Sequence, residues 1–155
     1  MAKFVCTFGL PGSGKSTYLK EHYPEECIIS ADKIKESYPG YTHENHGEFY
    51  KLAVQEAKEK IFCALKDGKR LIVFDTGSIN NKYSLEIFQR VFEVVEPLYD
   101  IELIVFTAGA DICIERDKDR PQSVGADVIN EKAKKGPEAL ARLLPFVTRV
   151  HLVHP

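Results

Sequence analysis

Nine residues near the start of the chain constrain its fold more than any other feature: Gly9-Leu10-Pro11-Gly12-Ser13-Gly14-Lys15-Ser16-Thr17. They fit the pattern G-x-x-x-x-G-K-[ST], follow an apolar run over residues 4–8, and open a helical stretch reaching about residue 22. A strand that turns through glycines straight into a helix leaves successive backbone N–H groups pointing into one concavity. The positive end of the helix dipole lies at the same spot, so the concavity suits phosphate oxygens. On this reading Gly9, Gly12, Ser13, Gly14, Lys15, Ser16 and Thr17 hold the phosphates of ATP or another nucleoside triphosphate. Lys15 reaches the β- and γ-phosphates, and the Ser16 hydroxyl is a ligand for Mg²⁺. A glycine turn that merely joins strand to helix is the bland alternative, and the complete motif in this setting argues against it.

The rest of the chain alternates short apolar runs with longer amphipathic stretches. Strands are predicted over 4–8, 27–29, 71–74, 101–106 and 150–153. Helices are predicted over 15–22, 47–66 and 82–95, with two shorter ones after Ala126 and after Pro137. The helix over 47–66 sets Phe49, Leu52, Ala53, Ala57, Ile61 and Leu65 on one face, and the next sets Leu85, Phe88, Val91 and Phe92 on one face. Strands alternating with helices imply an α/β fold, a parallel sheet covered on both sides. With 155 residues, 44% of them hydrophobic and 28% charged, one domain over 1–155 is expected.

Three further clusters carry candidate chemistry. Asp75 closes the apolar run over 71–74, where a strand-end carboxylate beside the phosphate loop could hold Mg²⁺ or its water shell. Asp32 follows Ile28-Ile29-Ser30-Ala31 and reads either as a helix N-cap or as the base that takes a proton from an attacking hydroxyl. Arg116 and Arg120, four apart, would share a helix face and belong to a lid over about 111–125, neutralising charge on a transferring phosphoryl group. Interleaved Glu115, Asp117, Lys118 and Asp119 allow a plain solvated helix instead.

A formal net charge of −2 gives no general basic bias toward nucleic acid. Cys6, Cys27, Cys63 and Cys113 form no CxxC pair, so buried thiols in a reducing, cytoplasmic setting are expected. No run approaches a membrane span, and no signal peptide is recognised. His43 and His46 have a possible metal spacing without a further ligand, and surface positions are the expected reading for both.

The order of these parts resembles that of the P-loop kinases, and among them the polynucleotide 5′-hydroxyl kinases, over nearly the whole chain. Phe8 to Thr17 is similar to that family's phosphate loop. Ser30-Ala31-Asp32-Lys33-Ile34-Lys35 resembles its second motif, Phe74-Asp75-Thr76 its third, and Arg116 with Arg120 its lid pair. The resemblance implies a five-stranded sheet in the order 2-3-1-4-5, with Asp32 as general base. It further implies that Lys35 meets a phosphate of the acceptor strand, that Asp75 and Thr76 stand between metal and acceptor, and that Arg116 and Arg120 grip the donor. The acceptor so implied is the 5′-hydroxyl of DNA or RNA, reached through an open tunnel. Lys35 stands where the family usually carries arginine, and Gly77 where asparagine is common.

Other readings have their own signatures. A kinase for a small metabolite or nucleotide sugar would use the same parts, its acceptor region running from Lys35 to about Tyr50. Asp75-Thr76-Gly77 also resembles the active-site triplet of aspartic proteases, which demands an all-β chain. A GTPase would need Asn-Lys-x-Asp after the fourth strand, where the sequence has Phe106-Thr107-Ala108-Gly109-Ala110-Asp111. A nucleotide-binding module without catalysis would need neither Asp32 nor a lid.

Overall fold

The apolar runs of the three central strands offer buried side chains to both faces of a sheet, whereas the run at its edge over 149–153 stays largely exposed. The computed structural model describes residues 1–42, 44, 46–80 and 82–155. Its strands are β1 (Ala2–Phe8), β2 (Ile28–Ser30), β3 (Leu71–Asp75), β4 (Tyr99–Phe106) and β5 (Arg149–Val153). Its helices are α1 (Lys15–His22), α2 (Ala31–Ser37), α3 (His46–Lys66), α4 (Lys82–Glu93), α5 (Ala110–Asp117) and α6 (Ala126–Leu143). Every described strand pairing is parallel, and the order is β2-β3-β1-β4-β5, as expected.

Alternation along β1 sorts the core into two layers. Phe4, Cys6 and Phe8 pack with Ile61 of α3, Phe88 of α4, and Ile129 and Leu143 of α6. Val5 faces the other way, toward Leu19 of α1 with Val73, Ile104 and Phe106. The sheet is thus covered on both sides, the three-layer α/β arrangement. A third cluster, Ile34 with Ala53 and Ala57, fixes α2 against α3. Among the described residues no helix is long and apolar enough to cross a membrane.

The register sets the stage for chemistry. Cys6 of β1 pairs with Phe74 of β3, and Ser30 of β2 pairs with Asp75. The phosphate loop, Asp75 and the start of α2 therefore gather at the carboxyl ends of three adjacent strands, where open parallel sheets bind ligands.

Several expectations from pattern alone are corrected. The two short helices are one, because Ile129, Gly136, Ala139 and Leu143 form a single buried stripe that crosses Pro137. The proline costs about 3 kcal/mol, and burying Ile129 and Leu143 contributes about 1.5–3 kcal/mol each, enough to keep the axis continuous. Leu52 and Phe92 leave their predicted faces and are 61% and 67% exposed. Each lies one residue, roughly 100° of helix, from a buried neighbour, Ala53 and Val91 respectively. The second strand starts a residue late because Glu25–Cys27 forms a 3₁₀ turn. Helix α5 stops at Asp117, so Arg116 and Arg120 do not share a helix face. His43, the side chain of His46, and Asn81 lie outside what is described.

Candidate active site

Backbone geometry builds the phosphate loop before any side chain acts. Gly12 and Gly14 have φ of 83° and 95°, a left-handed conformation that side chains disfavour. A Cβ on Gly12 would also stand 2.9 Å from the carbonyl oxygen of Cys113. The Ser13 amide donates to the Leu10 carbonyl at 3.1 Å, and that of Gly9 to the Gly77 carbonyl at 3.1 Å. A Cβ on Gly77 would sit a tight 3.2 Å from the Gly9 carbonyl oxygen, because the segment after β3 leans on the loop. The Thr7 hydroxyl reinforces this contact, donating to the Thr76 carbonyl at 2.7 Å and accepting from its amide at 3.0 Å.

Within this frame Lys15 donates through Nζ to the carbonyls of Gly9 at 3.0 Å and Leu10 at 2.8 Å. Ser13 Oγ lies 3.5 Å from the same ammonium. Burial pushes Lys15 down to about 8, and the charges of Lys132 and Arg120 act in the same direction against Asp75 and Asp32. Ser16 Oγ donates to Asp75 Oδ2 at 2.7 Å. Burial raises Asp75 above the usual carboxylate range, opposed by the Ser16 hydrogen bond and the Lys15 charge. A hydroxyl and a carboxylate in contact, both hard oxygen donors, fit Mg²⁺, which takes few protein ligands and keeps water and phosphate oxygens in the remainder of its shell.

Asp32 is not the cap of α2. Ser30 is, its Oγ accepting from the Lys33 amide at 3.3 Å. The Asp32 carboxylate lies in the first turn with its side chain 71% exposed, and Lys35 Nζ reaches Asp32 Oδ1 at 3.3 Å. Lys35 itself is buried, with its ammonium 5.6 Å from the ring centre of Tyr41 and 5.8 Å from that of Tyr50. The resemblance had Lys35 meeting an acceptor phosphate; the structure has it engaged by Asp32 and two aromatic rings.

The two arginines expected in a lid are held separately. Arg116 Nη1 donates to the Gly12 carbonyl at 3.3 Å, so it stands on the rim of the loop. Arg120 Nη1 pairs with Asp117 Oδ1 at 3.3 Å. The same carboxylate accepts from Ser123 Oγ at 2.7 Å, the Val124 amide at 3.2 Å and the Gly125 amide at 2.9 Å. Burial works to raise Asp117, but these hydrogen bonds and the Arg120 charge outweigh it and hold its carboxyl below the usual range.

Two residues at this site escaped the sequence reading. Asp117 looked like one of several alternating surface charges, yet it is buried and organises the loop after α5. Lys132 lies on the face of α6 that carries Ile129 and Gly136, and its charge is felt by Lys15. Burial lowers the Lys132 ammonium against the pull of Asp32. Reading α6 as one helix, with a stripe at 129, 132 and 136, is the signal that finds Lys132.

Three solved structures that share this arrangement are distant in sequence. The family model described as an AAA domain matches residues 4–143. A chain of the PezAT chromosomal toxin–antitoxin system of Streptococcus pneumoniae superposes with a TM-score of 0.69 at 15% identity, covering 99% of this chain and 68% of that one. A candidate kinase from Chloroflexus aurantiacus gives 0.61 at 16% identity, covering 99% and 85%. Deoxyadenosine kinase from M. mycoides, with dATP bound, gives 0.57 at 19% identity, covering 97% and 90%. At these identities the likeness is one of fold. No curated protein matches the sequence.

Proposed function

The chain belongs to the AAA domain family, and from that premise we propose that it is an ATP-dependent phosphotransferase, a kinase that passes the γ-phosphoryl group to a hydroxyl. The observation that carries the reading is the Ser16–Asp75 contact of 2.7 Å beside the phosphate loop, with Asp32 in electrostatic reach of Asp75. A metal-holding pair and a separate exposed carboxylate are what transfer to a hydroxyl requires.

In the proposed step the acceptor hydroxyl gives its proton to Asp32 while its oxygen attacks the γ-phosphorus in line. The bond from the γ-phosphorus to the bridging oxygen breaks, and ADP leaves with that electron pair. Lys15, Arg116 and Arg120 face the charge that spreads over the moving phosphoryl group. Ser16 would hold Mg²⁺ and Asp75 would hold the ion or its water shell, and the ion would supply positive charge beside the phosphates. Thr17, in the first turn of α1, completes the phosphate cradle. These groups all lie within one unit, with the lid over about 111–125. Free thiols at Cys6, Cys27, Cys63 and Cys113 are in keeping with a cytoplasmic setting.

For the acceptor, the motifs at Asp32, Lys35, Asp75 and Thr76 favour the 5′-hydroxyl of DNA or RNA. The burial of Lys35 against Asp32 favours a second reading, a small hydroxylated molecule. Incubation with γ-labelled ATP, Mg²⁺ and 5′-hydroxyl oligomers of each nucleic acid tests the first. Labelled 5′ ends that disappear with Lys15→Ala are the expected result for a polynucleotide kinase; unlabelled ends with ATP bound exclude these acceptors and leave the phosphotransferase reading intact. Absence of ATP binding would sink that reading.

A further inference from the structure

A cavity of about 20 Å³ lies over the end of β3, between α2, α3 and α4. Its wall includes Ala31, which precedes Asp32, and Thr76, which follows Asp75. The cavity therefore adjoins the start of α2, and Tyr50 in its wall feels the charge of Asp32. Asp75, between the lining residues Phe74 and Thr76, turns the other way to Ser16. Besides Thr76, its polar lining comes from Tyr50, Asn80, Tyr83 and Ser84, and the remaining wall is aliphatic or aromatic.

Three properties restrict what can enter. None of the described lining residues is charged. The nearby ammonium of Lys35 is already engaged by Asp32 at 3.3 Å and by two tyrosine rings. Burial, and then the charge of Asp32, raise the Tyr50 phenol above its ordinary range, so it stays protonated and neutral. Finally, the volume matches one water molecule or one hydroxyl group. A phosphate or carboxylate pressed into such a space would be stripped of water without a countercharge, whereas a hydroxyl finds donors and acceptors.

We infer that the acceptor is a neutral, polyhydroxylated small molecule, such as a sugar, a cyclitol or an unphosphorylated nucleoside. Its reactive hydroxyl meets Asp32 and a second hydroxyl enters the cavity lined by Tyr50, Thr76, Asn80, Tyr83 and Ser84. This rests on the phosphotransferase reading and names its substrate class.

The test is label transfer from γ-labelled ATP to three sets of compounds: neutral pentoses, hexoses, inositols and nucleosides; phosphate monoesters of the same skeletons; and 5′-hydroxyl oligonucleotides. The expected result is a neutral acceptor with kcat/KM roughly a hundredfold above its own monoester and above any oligonucleotide. Tyr83→Phe and Asn80→Ala should each raise KM for that acceptor about tenfold while KM for ATP changes less than about twofold. Preference for monoesters or oligonucleotides, or label in none of the neutral compounds, overturns the inference. ATP binding and slow ATP hydrolysis, both abolished in Lys15→Ala, are followed in parallel. If they persist while neutral acceptors stay unlabelled, the acceptor class alone is wrong; if they are absent, the phosphotransferase reading falls too.

Discussion

The phosphate loop and the proposed lid are held in opposite ways. The loop is fixed by backbone: left-handed glycines, amide-to-carbonyl bonds and a strand and helix at its two ends. The loop after α5 is held by one side chain, Asp117, which gathers Arg120, Ser123, Val124 and Gly125. A feature held by backbone conformation writes its requirement into residue type and spacing. One held by a buried carboxylate leaves only an aspartate among other charges.

The sharpest way to break the comparison is at Lys15. Lys15→Ala should lower phosphoryl transfer by roughly 10³-fold or more, to whatever acceptor, because charge stabilisation is most of the catalysis. Initial rates with a coupled ADP assay read this, and near-normal rates would remove Lys15 from the mechanism.

Next in size, Asp32→Ala should slow transfer by about 10²–10⁴-fold while ATP binding stays nearly intact. Full activity would show the proposed base to be wrong. Loss of ATP binding as well would make Asp32 structural.

At the end of α5, Asp117→Ala removes the buried carboxylate that two amides, a hydroxyl and Arg120 share, so it should cost about 1–3 kcal/mol of stability. Urea denaturation measures that, and a change below about 0.5 kcal/mol would show the loop after α5 to be held by something else.

The smallest effects concern affinity. Lys132→Met removes one cation from the face of α6 and should weaken ATP binding by roughly three- to tenfold, read by titration calorimetry; unchanged affinity would place Lys132 outside the donor site. Lys15 adds a pH dependence with a definite sign. Its ammonium is pushed down to about 8 in the protein, and phosphate binds the charged form. Above that pH the proton must be taken up on binding, so ATP affinity should fall as pH rises from 8 to 9, by up to about tenfold per unit. A flat profile over that interval would mean that burial does not depress Lys15.

Legibility followed the range of the forces. Strand runs and the continuous α3 were readable because apolar periodicity is a local signal, whereas the sheet order was expected only from the resemblance to P-loop kinases. Misreadings came where tertiary packing overrode a local cue. Pro137 looked like a boundary until a buried stripe spanning Ile129 to Leu143 carried the helix through it. Arg116 and Arg120 have helical spacing, but α5 ends between them and the chain turns on the Asp117 carboxylate. Leu52 and Phe92 lie within one residue of the true face, a difference that composition does not resolve.

By itself the sequence determined that this chain forms a parallel α/β sheet with a phosphate-binding loop at the end of its first strand, since glycine, lysine and serine at that spacing satisfy one backbone geometry. Only the tertiary structure decided that Asp75 meets Ser16, that Lys35 is buried beside Asp32, that Asp117 anchors the loop after α5, and that a hydroxyl-sized cavity without charged lining adjoins the start of α2. Those outcomes depend on which distant side chains burial brings together, and charge and hydrogen bonding select partners only after packing has done so.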